Sequence, residues 1–172
     1  KTAYAGWHNQ SQKSEFDFED INLDPSYVKP SCVITTEGLD QTCNVVPNVC
    51  DTAGNCYTDA LISNSADMDF SKPTVNLNAW GSTIDGTASD NLSGVDKVEI
   101  RIRKPDLNEV TVTATGTTSW TYTMTDPSMG NYKIVVLAYD KAGNLNEGVS
   151  KEFVMSPASQ NSTSSGTGDN QA

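Results

Sequence analysis

From residue 73 onward, apolar and polar side chains alternate at period two in short segments separated by turn residues. Val75 and Leu77 share a face, then Ile84, Gly86 and Ala88, then Val98, Ile100 and Ile102 with Glu99, Arg101 and Arg103 facing water. Val110, Val112 and Ala114 follow, then Trp120, Tyr122 and Met124, a long run over 132–139, and finally Phe153 and Met155. Asp, Asn, Gly, Pro and Ser punctuate this pattern at 90–94, 104–106, 126–130 and 140–144, where side-chain bonds to the backbone and positive φ favour reversal. No window carries a helical stripe. The spacing predicts seven strands, lettered A to G, at 73–79, 83–89, 96–103, 109–114, 118–124, 131–139 and 149–155, and hence an antiparallel β-sandwich. Tyr132 opens the sixth strand after a Gly-Asn pair. Its hydroxyl is placed either to tie the preceding loop to the sheet as a tyrosine corner or to sit in the core as a plain aromatic.

The first half repeats this plan more compactly. Phe16 and Phe18 alternate with acids in a segment matching strand B, 27–33 matches C, 41–50 matches F and 56–62 matches G. Trp7 and Trp80 each precede a B strand. The strongest internal signal is Asp51-Thr52-Ala53-Gly54-Asn55 against Asp140-Lys141-Ala142-Gly143-Asn144, at the F–G turn of each copy, so the chain reads as two tandem repeats.

Four cysteines, Cys32, Cys43, Cys50 and Cys56, fall in this first copy. Their spacings fit no paired zinc knuckle, and His8 is distant, so they read as two disulfides formed in an oxidising compartment. Cys43 and Cys50 on one strand lie too far apart to bond, and the start of F lies far from the start of G. Cys32–Cys43 and Cys50–Cys56 remain. Asn9, Asn91 and Asn161 head Asn-x-Ser/Thr triplets, acceptors for glycan only in a host that attaches it.

Charge narrows the partners. The 172 residues carry 22 acids against 11 bases, a net of −11, which argues against nucleic acid. No stretch is apolar for long enough to insert in a membrane as a helix. The chain opens at Lys1 in polar sequence without a signal peptide, and reads as mature or excised.

The two Asp-x-Ala-Gly-Asn turns resemble those of bacterial immunoglobulin-like repeats in large extracellular surface proteins. So do Gly6-Trp7-His8-Asn9, Thr36-Glu37-Gly38, Asp90-Asn91-Leu92-Ser93-Gly94-Val95 and the segment from Asp69 to Val75. The resemblance covers about residues 4–155. It implies stalk or spacer modules without catalysis of their own, whose partners are neighbouring immunoglobulin-like domains or like subunits. In the family a strand A precedes the Gly-Trp element; here only Lys1-Thr2-Ala3 does. The expected organisation is an incomplete immunoglobulin-like domain at 1–66, a linker at 67–73, an immunoglobulin-like domain at 74–155 and a flexible Ser/Gly/Thr-rich tail at 156–172. The open edge reads either as trimming or as a place completed by a strand from a neighbouring subunit, which would make a filament.

Immunoglobulin-like topology gathers Asp90, Asp96, Asp140 and Asn144 near Asp67 and Asp69, and carboxylates from several segments suit calcium. The alternative is solvated loop acids. Asp20, Asn22, Asp24 and Asp51 form the equivalent set in the first copy. Trp7 and Trp80 are candidates for a glycan platform or for capping the sandwich ends, whereas Trp120 reads as core. Lys13 and Lys133 would be donors for an intramolecular isopeptide bond if buried beside Asn and an acid. No nucleophile elbow or paired His supports catalysis. The reading that follows is a non-catalytic extracellular spacer or adhesion module that requires no cofactor, with a calcium ion as the one candidate. A filament subunit and a carbohydrate-binding accessory module are its alternatives.

Overall fold

A computed structural model describes residues 6–20 and 22–157. Asn161, the residues before Gly6 and the tail beyond Pro157 lie outside the described residues. The described chain is all-β, with sixteen strands and no helix. It divides into two compact units of immunoglobulin-like β-sandwich type. Unit 1 comprises Lys1–Lys72 with Asn91–Ser93 and Lys141–Asn144; unit 2 comprises Pro73–Asp90, Gly94–Asp140 and the remainder.

Unit 1 is a set of short ladders. β1 (Trp7–His8), β4 (Gly38–Gln41) and β9 (Ala66–Met68) form one sheet in the order β1-β9-β4, with β1 parallel to β9. β2 (Gln12–Glu15) pairs with β3 (Ser31–Ile34). β5 (Asn44–Val45) pairs with β8 (Leu61–Ile62), and β6 (Val49–Cys50) with β7 (Cys56–Tyr57). In sequence β4-β5-β6 and β7-β8-β9 are the two arms of one interrupted hairpin, whose tip is the Asp51–Asn55 turn. Gly54 at that tip has φ 89°, a conformation that a Cβ resists. The core is thin: Ile34, Ala66 and Met68, with Cys43 and Phe70 packed against them. The structure forms the disulfides Cys32–Cys43 and Cys50–Cys56. Closing 11-residue and 6-residue separations, they stabilise by about 3 and about 2 kcal/mol in the chain-entropy account, a large share for a core of this size.

Three expectations for this unit change. Phe16 and Phe18 follow β2 instead of forming a strand, and Phe18 packs edge-on against Tyr27 and Tyr57. The 27–33 strand starts only at Ser31, after Pro30, which has no N–H to give a ladder. The 67–73 linker begins inside β9, whose last residue Met68 is fully buried, as is Asp69 after it; a three-residue strand is too short to show periodicity.

Unit 2 follows the alternation closely. β10 (Thr74–Ala79), β11 (Thr83–Ser89) and β14 (Ser119–Thr123) make one sheet. β13 (Glu109–Thr113), β12 (Val95–Arg103), β15 (Gly130–Asp140) and β16 (Leu145–Met155) make the other, in that order. The fourth strand, β13, therefore pairs with the third strand rather than joining the sheet of β14 as D does in a constant-type immunoglobulin domain. The inward residues of both sheets form the core, among them Ile84, Val98, Ile100, Trp120, Ile134 and Val136. Burying side chains of this size contributes about 1.5–3 kcal/mol each. Tyr132 is buried, stacks on Phe153 at 5.5 Å, and donates from its hydroxyl to the Ser128 carbonyl at 3.0 Å. It is a tyrosine corner and a core aromatic at once.

Candidate functional site

Asp90 follows β11 and opens the turn Asp90-Asn91-Leu92-Ser93-Gly94. Its Oδ2 accepts the Gly94 amide at 2.8 Å, and Gly94 has φ 81°. Asp140 is the last residue of β15, in register with Val95 and 2 % exposed. The two carboxylates thus come from different sheets of the unit 2 sandwich, with oxygens within 4.8 Å of one another. At that separation two full charges repel by roughly 1 kcal/mol in bulk water and 3.5 kcal/mol near a protein surface. A hard divalent cation converts that repulsion into attraction and takes carboxylate and carbonyl oxygens as ligands.

In unit 1, Asp69 follows β9 and is fully buried. Its N–H donates to the His8 carbonyl at 2.9 Å, and its Oδ1 and Oδ2 accept the amides of Ser71 and Ser93, each at 3.0 Å. Asn144 donates from Nδ2 to the Asp69 carbonyl at 2.9 Å. Ser93 itself is a residue that sequence reasoning missed: its Oγ is buried with no hydrogen-bond partner. Nothing in a Ser three residues before an Asp signals this.

The remaining predicted ligands serve other ends. Asp67 accepts the Asp40 amide at 3.0 Å, holding Asp40 at φ 51°. Asp96 is exposed at the bulge between Val95 and Lys97, and Asn144 is occupied as a brace. In the first copy, Asp20 caps the Asn22 amide and Asp24 holds the Ser26 amide and hydroxyl. Asp51 accepts the amides of Ala53 and Asn55 and the Asn55 side chain. These bonds, the Asn55 side chain foremost, hold the Asp51 carboxyl below the usual Asp range. Among the described residues, the acids spaced for a metal ion do not include this set.

The aromatic and lysine candidates separate clearly. Trp120 is core, with its Nε1 buried and unbonded. Trp80 is 43 % exposed, and the Lys151 ammonium lies over its ring at 4.2 Å. Trp7 is half-buried in β1. Lys13 and Lys133 are surface residues paired with Glu15 and Glu152, so neither is the buried donor that an isopeptide bond requires.

No protein-family model and no curated protein matches the chain. Among solved structures, it is similar to fibronectin(III)-like modules of CbhA from Clostridium thermocellum at 14 % identity and a TM-score of 0.42, over 94 % of each chain.

Proposed function

We propose that the chain is a non-catalytic extracellular spacer of the bacterial immunoglobulin-like type, carrying calcium at the Asp90–Asp140 end of its second sandwich. The observation that supports it best is the work its polar side chains do. Asp20, Asp24 and Asp51 brace turns, and Asp67 and Asn144 tie distant segments together, which stiffens loops that in a binding or catalytic domain would present reactive groups. The two disulfides favour an oxidising, extracellular setting. Asp90 and Asp140 supply the first two calcium ligands. The partners in this reading are neighbouring domains of the same kind.

Calorimetric titration with calcium, together with thermal melting in calcium and in chelator, tests the metal. Binding that raises the melting temperature, and is lost in Asp140→Asn and weakened in Asp90→Asn, is the expected result. At a calcium concentration a hundredfold above Kd the stabilisation is about 2.7 kcal/mol. A wild-type melt indifferent to chelator removes the metal and leaves the spacer. Light scattering tests the spacer itself: a monomer is expected, and filaments would replace this reading with assembly by strand exchange.

A further inference from the structure

Unit 1 carries an open surface cleft of about 300 Å³ beside the tip of its hairpin. Phe18 and Tyr57 form one wall, their rings meeting edge-on at 5.2 Å, with Leu23 and Val49 adding apolar surface. Glu19, Asp20 and Asp51 supply the charge, and none of the lining residues is basic. The frame is rigid. Cys50–Cys56 closes the hairpin, Asp24 N–H donates to the Cys50 carbonyl at 3.0 Å, and Thr52 N–H to the Asn22 carbonyl at 2.8 Å.

We infer that this cleft binds a small methylated ammonium ion. Three carboxylates repel an anion. A bare metal ion needs carboxylates converging within a few ångströms, and these three are not so placed among the described residues. A neutral sugar leaves the negative charge of the lining unanswered. A diffuse cation sheathed in methyl groups fits both halves of the lining: its charge faces the carboxylates and the ring faces, and its methyls cover Leu23 and Val49. Residues 1–70 hold three Lys against eleven acids, so the wider field draws the same cation in.

The test is titration of the full chain, in chelator, with choline and with neohexyl alcohol, its neutral carbon isostere, followed by NMR shifts of the Phe18 and Tyr57 rings. Saturable millimolar binding of choline, about tenfold tighter than the isostere, is expected. It should be lost in Tyr57→Leu and weakened in Glu19→Gln, at an exposed position of the lining. No saturation with choline, or equal response to the isostere, overturns the proposal. Phosphatidylcholine vesicles distinguish the source: co-sedimentation with them assigns a lipid headgroup, and choline binding without it assigns a free solute. Because calcium is absent throughout, failure here leaves the metal reading untouched.

Discussion

Replacing Tyr132 by Phe removes one oxygen and leaves the stack on Phe153 in place. The lost bond to the Ser128 carbonyl should cost about 1 kcal/mol, read as a lower urea midpoint for unit 2 with an unchanged slope. An unshifted midpoint would reduce the corner to packing alone. Asp51 makes a different prediction, because its role depends on charge. Its carboxyl is held below the ordinary Asp range by the Asn55 side chain and by turn amides. Its contribution is therefore complete above the unfolded pKa of about 3.9 and disappears as pH falls through the lower folded value. Melting temperatures across acid pH should fall more steeply for the wild type than for Asp51→Asn, and parallel curves would disprove the assignment.

At the scale of elements, the close approach of β10, β11 and Trp120 leaves no room for a methyl group at Gly86. A Cβ there would stand 2.0 Å from the Asn76 carbonyl oxygen and 2.4 Å from the Trp120 ring. Gly86→Ala should therefore destabilise by about 3 kcal/mol or more. At Gly148 the nearest atom, 2.1 Å away, is a methyl of the buried Val75, which is stiff at χ1, so Gly148→Ala should also destabilise in the same chemical denaturation series. Legibility in the sequence follows the same physics. β11 runs over the predicted 83–89 and β12 begins one residue early, because both bury alternate side chains against a deep core. Unit 1 offers little such signal. Its strands are two to four residues long, its buried core is three residues, and its hairpin is held by disulfides and Asx turns. Periodicity therefore missed β4 and β9. The Asp-x-Ala-Gly-Asn turns were legible because their chemistry is local. The pairing of Asp90 with Asp140 was legible from topology, while Asp67 and Asn144 went to bonds that no spacing announces.

For the whole chain, all four cysteines lie in one unit, so reduction should act on half of the molecule. Loss of both disulfides removes about 5 kcal/mol from unit 1, comparable to the total stability of a small domain. Scanning calorimetry in reductant should show one transition collapse while the other, followed through Trp120 fluorescence in a Trp7→Phe background, stays in place. Two transitions moving together would show that the units melt as one. Finally, β1 and β9, the first and last strands of the Lys1–Lys72 segment of unit 1, run in the same direction. Tension applied at the two ends of such a unit loads a parallel ladder along its length, so that its hydrogen bonds resist in shear together, where an antiparallel pair pulled from one end unzips bond by bond. Once that clamp slips, Cys32–Cys43 and Cys50–Cys56 withhold roughly 50 Å of contour from extension, so the same short sheet that left so faint a trace in the sequence sets both the yield point of the unit and how far it can stretch.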